Sequence, residues 1–123
     1  MKKTKHSKHR IRFHLILIPK RRKEILFGIY KTMLEDLIYY KTTVMGGCVH
    51  EFAVQPDHIH LFFEISPDVH LSKFIGQLKQ YMASQMMKSF PELKQQSFFA
   101  RGYFLGSCGV DASILQAYIR GQR

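Results

Sequence analysis

The stretch His58-Ile-His-Leu-Phe-Phe-Glu-Ile65 places Ile59, Leu61, Phe63 and Ile65 at every second position. Side chains alternate across a strand, so a period of two predicts a β-strand with one face in an apolar core. His58 and His60 then share the opposite face. Such a strand needs sheet neighbours and a layer of helices over its apolar side. Arg10 to Pro19 begins by alternating and becomes continuously apolar, as a strand entering the middle of a sheet does, with Arg10, Arg12 and His14 on one face. From Glu24 to Tyr40 the apolar residues Leu26, Ile29, Met33, Leu37 and Tyr40 recur at helical spacing. Thr42 to Val54 reads as a second strand, interrupted by Gly46-Gly47 and reversed by Gln55-Pro56-Asp57 into His58 to Ile65.

Ser66-Pro67 ends that strand, and Leu71, Phe74, Ile75, Leu78, Met82 and Met86 mark a second amphipathic helix closed by Pro91. A polar loop through Gln95-Gln96, a short apolar stretch Tyr103 to Leu105 and a Gly106-Ser-Cys-Gly109 breaker follow. A last helix is expected from Asp111 through Ile114, Leu115, Tyr118 and Ile119. The order β-α-β-β-α-β-α predicts an α+β fold. Its first six elements match the split βαβ of ferredoxin-like folds, an antiparallel sheet with two helices on one face and the other face open. No repeat, low-complexity tract or linker divides the chain. One domain is expected over residues 1–123: a basic arm at 1–9, a ferredoxin-like core at 10–110 and a closing helix at 111–123.

Charge is unevenly placed. Residues 1–23 hold ten Lys and Arg and no acid, whereas residues 24–123 hold nine of each sign. A block of like charge repels itself unless a polyanion neutralises it, and a nucleic-acid backbone is the commonest such partner in the cytosol. A solubilising tail is the plainer account. Without an amphipathic helix beside the charges or an apolar run of about 20 residues, a membrane role is not expected. With no apolar segment after the basic N-terminus to serve as a secretion signal, a cytoplasmic protein is predicted. Cys48 and Cys108 lack CxxC spacing and read as reduced thiols.

His58 and His60 project side by side where imidazole nitrogens can meet a divalent ion or a phosphate. In a chain with seven His the pair is weak by itself. Tyr118 and Gln122 lie four apart on the closing helix, so they stack on one side. Tyr118 equally extends the apolar stripe of Ile114 and Leu115. As a nucleophile it would need a nearby cation or base, since a phenol with a pKa of about 10 is poorly ionised at neutral pH.

Taken together, the block Val54-Gln-Pro-Asp-His-Ile-His-Leu61, the strand with its basic extension from Phe13 to Arg22, Ile75-Gly-Gln-Leu-Lys-Gln80, Arg101-Gly-Tyr-Phe104 with Gly109, and Ala117-Tyr-Ile-Arg-Gly-Gln122 form a recognisable series. Over about residues 10–122 the chain resembles the single-tyrosine, His-hydrophobic-His (HUH) transposases of insertion sequences, the IS200-like group. The resemblance implies that Tyr118 attacks single-stranded DNA and becomes linked to a 5′ phosphate, leaving a free 3′ hydroxyl that later rejoins strands without ATP. It implies that His58, His60 and Gln122 hold Mg²⁺ or Mn²⁺, that the substrates are hairpins at the element's ends, and that a homodimer forms in which the tyrosine helix acts in its own or the partner's site. Arg10, Arg12, Lys20, Arg21, Arg22, Lys79 and Arg101 are the expected DNA contacts.

Two features depart from the resemblance. Gln122 is followed only by Arg123, so the last helical turn is expected to fray. The segment around Phe98-Phe99-Ala100 also lacks the tryptophan that relatives often carry there. A different class of protein, a hairpin-binding module of the same fold without cutting activity, is the alternative. A ferredoxin-like RNA binder is less apt, because Arg101-Gly-Tyr-Phe begins like an aromatic RNA-binding strand and then departs from it.

Overall fold

A computed structural model describes residues 10–94, 97–107 and 118–121. Four strands, β1 (Ile11–Leu17), β2 (Cys48–Gln55), β3 (His58–Ile65) and β4 (Phe104–Ser107), form one antiparallel sheet in the order β2-β3-β1-β4. Helix α1 (Gly28–Val44) connects β1 to β2, and α2 (Leu71–Ser89) connects β3 to β4. Each connection therefore skips one strand, β3 in the first case and β1 in the second. These are the two interleaved split βαβ units that the element order predicts. The basic arm at 1–9, the Gln95-Gln96 loop, Cys108 and most of the expected closing helix lie outside the described residues.

The main core fills the space between sheet and helices. Leu15 and Leu17 of β1 and Ile59, Leu61, Phe63 and Ile65 of β3 meet Leu34, Leu37 and Ile38 of α1 and Phe74, Ile75, Leu78, Met82 and Met86 of α2. The Phe63 and Phe74 rings stack with centroids 5.4 Å apart, which ties strand to helix. The α2 stripe is the predicted one. His70 precedes it and accepts a hydrogen bond from the Lys73 amide at 3.4 Å, standing in for the usual Ser or Asp cap.

Helix α1 departs from its expectation at both ends. It starts at Gly28 rather than near Glu24 because the Leu26 N–H donates to the Pro56 carbonyl at 3.0 Å, which draws residues 24–27 against the β2–β3 turn. Leu26 is fully buried there, and Gly28 takes φ +59° as the chain turns into the helix. At the other end the helix runs on through Thr42–Val44, whose β-branched residues read as strand, and stops where Gly46 at φ +94° closes it. The buried stripe is Leu34, Leu37, Ile38 and Thr42, while the expected Ile29 and Tyr40 are exposed. Strand β2 accordingly begins at Cys48, an exposed free thiol, and carries a bulge between Val49 and Glu51. No helix among the described residues is long and apolar enough to cross a membrane.

Candidate active site on the histidine face of the sheet

The second face of the sheet carries the chemistry. Register sets Ile16 opposite His60, His14 opposite Phe62 and Arg12 opposite Glu64 on the β1–β3 ladder, with Phe104 of β4 opposite Ile16. Because alternate residues share a face, His58 and His60 join His14, Ile16 and Phe104 on the side away from the helices.

His58 opens β3 immediately after the two-residue turn Pro56-Asp57. Its Nδ1 lies 2.9 Å from Asp57 Oδ1. A carboxylate only accepts, so Nδ1–H is the donor, and Nε2 carries the lone pair whenever the ring is neutral. The second oxygen of Asp57, Oδ2, lies 3.8 Å from Arg22 Nε.

His60 is engaged differently. Its Nε2 lies 2.8 Å from His14 Nδ1, with one ring donating to the other. Two protonated imidazoles cannot share such a bond, so at least one of the pair is neutral. Burial, then the adjacent His14 and His58, push the His60 pKa below its ordinary value, with Glu51 opposing. His14 also stacks on Phe62, with ring centroids 4.5 Å apart. The sequence places His14 on this face without revealing its partner, because the contact is a cross-strand diagonal that only the register defines.

The far side of this face is not open as expected. Ile16, Ile18 and Ile119 form a second, smaller apolar cluster, with Ala100, Phe104 and Tyr118 partly buried around it. The described end of the chain, a helical turn at residues 118–120, thus sits on the histidine face. The Tyr118 ring packs on Phe104 at 5.3 Å. Strand β1 lies between β4 and β3, so at about 4.8 Å per strand Phe104, on which Tyr118 packs, stands roughly 10 Å across the sheet from His60. Partial burial raises the Tyr118 pKa above its ordinary value, which favours the protonated phenol. Arg22 Nη1–H donates to the Ile119 carbonyl at 3.1 Å.

The other predicted cations divide into groups. Arg10 and Arg12 both pair with Glu64, at 2.7 and 3.1 Å, and His50 reaches the same carboxylate at 2.8 Å. Hydrogen bonding by His50, then by Arg12 and Arg10, holds the Glu64 pKa below its ordinary value against the effect of burial. Lys20 and Arg21 lie with Arg22 in a single 3-10 turn, Lys20–Arg22, just past β1. Lys79 belongs to α2, on the other side of the sheet, where its ammonium donates to the Ala100 and Gly102 carbonyls at 3.1 and 2.8 Å. Desolvation lowers its pKa. Arg101 is exposed. Gln122 lies outside the described residues.

The donor set partly fits a divalent ion. His58 offers Nε2, and His60 offers its second ring nitrogen when it donates Nε2–H to His14. Among the described residues no group of three or more His, Cys, Asp and Glu converges. His58 and His60 each leave one ring nitrogen available, His14 being the partner that accepts from His60, and among the described residues no third ligand joins them.

Comparison with known proteins identifies the family and matches the fold. Residues 7–122 match the family described as IS200-like transposases. The chain is 26% identical over 125 residues to the transposase for insertion sequence element IS200 of Salmonella typhimurium LT2, covering 98% of this chain and 82% of that one. It is 30% identical over 96 residues to the ISDra2 transposase TnpA of Deinococcus radiodurans, covering 78% of this chain and 69% of the relative. Among solved structures, a Deinococcus radiodurans R1 protein assigned as a transposase superposes with TM-score 0.87 at 26% identity, covering 94% of this chain and 92% of the other. A REP-associated tyrosine transposase bound to a REP hairpin shares the fold, with TM-score 0.61 at 14% identity, covering 89% of this chain and 62% of that one.

Proposed function

Since the chain belongs to the IS200-like transposase family, we propose that it cleaves and rejoins single-stranded DNA at hairpin-bearing element ends, with Tyr118 as nucleophile. The observation that carries this reading is the placement of Tyr118 on the same sheet face as His58 and His60, opposite the helices. The Tyr118 oxygen attacks phosphorus, a Tyr–O–P bond forms, and the P–O3′ bond breaks to release a 3′ hydroxyl. The 5′-phosphotyrosine conserves the phosphodiester energy, so a later attack by a 3′ hydroxyl rejoins strands without ATP.

A divalent cation, Mg²⁺ or Mn²⁺, bound by His58, His60 and Gln122 would supply positive charge at the scissile phosphate. Asp57 orients His58 through Nδ1, and His14 holds the ring of His60, so both imidazoles are fixed before anything binds. Partial burial raises the Tyr118 pKa and favours the protonated phenol, so attack would depend on the loaded site.

Arg10, Arg12, Lys20, Arg21, Arg22 and Arg101 contribute the charge that draws in phosphates. The REP-hairpin complex of the related fold supports hairpins as ligands, and a homodimer would bring two element ends together.

The test is a denaturing gel of the protein incubated with a labelled hairpin from its own element's flank and a divalent cation. A covalent protein–DNA adduct should form in the wild type and vanish in Tyr118→Phe and His58→Ala, with hairpin binding retained. An adduct in Tyr118→Phe refutes the nucleophile. Binding with no adduct in any variant indicates a hairpin-binding module instead.

A further inference from the structure

We propose that Arg22 is a positioning residue that fastens the Tyr118 segment to the histidine turn, an inference that rests on the assignment of Tyr118 and His58 above. Four groups from three distant segments form one chain of contacts. His58 Nδ1–H donates to Asp57 Oδ1, Asp57 Oδ2 faces Arg22 Nε at 3.8 Å, and Arg22 Nη1–H donates to the Ile119 carbonyl at 3.1 Å. One end is a ring proposed to bind the cation. The other is the peptide that follows the proposed nucleophile.

The backbone around Arg22 bears the cost of this placement. Arg21 (φ 59°, ψ 20°) and Arg22 (φ 52°) both occupy the left-handed region, which side chains with a Cβ rarely adopt. Two consecutive arginines there mark a conformation held by its surroundings, of the kind that collects at functional sites. The surroundings are visible on both sides of the turn. The Lys20 N–H donates to the Phe98 carbonyl at 2.9 Å, the Arg22 N–H to the Pro19 carbonyl at 2.8 Å, and the Ala100 N–H to the Ile18 carbonyl at 2.8 Å. The turn is thereby pinned to the 98–100 segment while the Arg22 side chain reaches back over the histidine face.

The chemistry also selects arginine. A guanidinium presents donors in a fixed fork and can face a carboxylate with one nitrogen while donating to a carbonyl with another. A lysine ammonium is a single point charge and serves one of the two at that spacing. Without the fork, the contacts among the described residues that hold the Tyr118 segment on the sheet are the Ile119 cluster and the Tyr118–Phe104 ring contact. A phosphate contact is the competing role for Arg22, and it differs in one respect. A phosphate contact has no effect on the protein before DNA arrives.

Hydrogen–deuterium exchange on the DNA-free, full-length protein therefore decides between them. In Arg22→Ala, exchange in peptides covering 118–121 should rise about tenfold, the effect of losing one charge-assisted hydrogen bond, with a smaller rise in Arg22→Lys, while β1 and β3 exchange as in the wild type. Asp57→Asn should give a smaller rise, since the bond to Ile119 survives. Single-turnover adduct formation should slow with hairpin affinity kept within twofold in Asp57→Asn. Exchange within twofold of wild type in Arg22→Ala, or full rescue by Arg22→Lys, overturns the proposal. Should the wild type form no adduct, the transposase chemistry fails, yet the exchange result still judges the Arg22 fastening.

Discussion

Replacing Ile119 by alanine separates the docking of the tyrosine segment from the folding of the sheet. Ile119 is 6% exposed and meets Ile16 and Ile18, in a cluster distinct from the main core. The substitution removes three carbons, and at about 0.8 kcal/mol per buried methylene the loss is about 2.4 kcal/mol. That corresponds to roughly a 60-fold weaker docking equilibrium at 1.36 kcal/mol per decade. A segment that can lift off without unfolding the sheet confines this loss to itself, because the global transition cannot lose more than the docking free energy. Met82, 0% exposed within the main core, is the contrasting site. Met82→Ala should cost about 2–5 kcal/mol and lower Tm by roughly 10 °C or more. Thermal melts by circular dichroism, alongside isoleucine-methyl NMR of the Ile16 and Ile18 signals beside the Phe104 and Tyr118 rings, make the comparison. Ile119→Ala should move those methyl resonances markedly with a much smaller change in Tm. A Tm loss equal to that of Met82→Ala would refute the idea that the segment docks as a separable unit.

Stability should fall in acid through Glu64. Its native pKa lies below the ordinary value of about 4.5, so its contribution is full above that pH and disappears as pH drops through the native value; urea melts between pH 3 and 5 should lose this slope in Glu64→Gln. Thr42 is fully buried and its hydroxyl has no hydrogen-bond partner among the described residues, so Thr42→Val should add about 1 kcal/mol and raise Tm by roughly 4 °C. Gly47→Ala should cost about 1–3 kcal/mol in a denaturant melt, because a Cβ there meets Thr42 Cγ2 at 2.9 Å, Phe74 Cζ at 3.0 Å and the Thr42 carbonyl at 3.1 Å, and the last cannot swing aside. Hairpin binding should show a log–log salt slope no steeper than about −7. Of the ten cations in residues 1–23, Arg10, Arg12 and Arg22 face carboxylates; the other seven, with Arg101, give eight at about 0.7–0.9 per phosphate, and a slope near −9 would mean that these pairs open on binding.

Much of this architecture was legible along the chain, and what was hidden shares a physical cause. The period of two in β3 assigned every residue from His58 to Ile65 to its observed face, and the α2 stripe held from Phe74 to Met86. Both signals are local and both are enforced by burial. The apolar spacing from Leu26 to Tyr40 marks the core side of helix α1 at Met33 and Leu37 and misses it at Ile29 and Tyr40, because Leu26 belongs to the extended lead-in, where its amide is committed to Pro56, and Thr42 to Val44 are helical despite their strand preference. Tertiary contacts there override propensity.

At the candidate site the same division separates single residues from pairs. His58 and His60 stand two apart on one strand, so spacing alone aligns them. The partners that orient them come from β1 and from the preceding turn, and the contact of His14 with His60 exists only at the β1–β3 register in which Ile16 faces His60. A shift of one residue would send the His14 ring into the helix layer. Arg22 is the extreme case. A basic run after Pro19 reads naturally as phosphate contacts, and nothing local predicts left-handed backbone at two arginines, since that region favours glycine and asparagine. What sets the Arg22 side chain apart from its neighbours Lys20 and Arg21 is that Asp57 and the Ile119 carbonyl both lie within its reach, and those two groups come from distant parts of the sequence. Residue type and period therefore predict which groups this chain can bring to the histidine face, whereas strand register and chain closure determine which of them act as a unit.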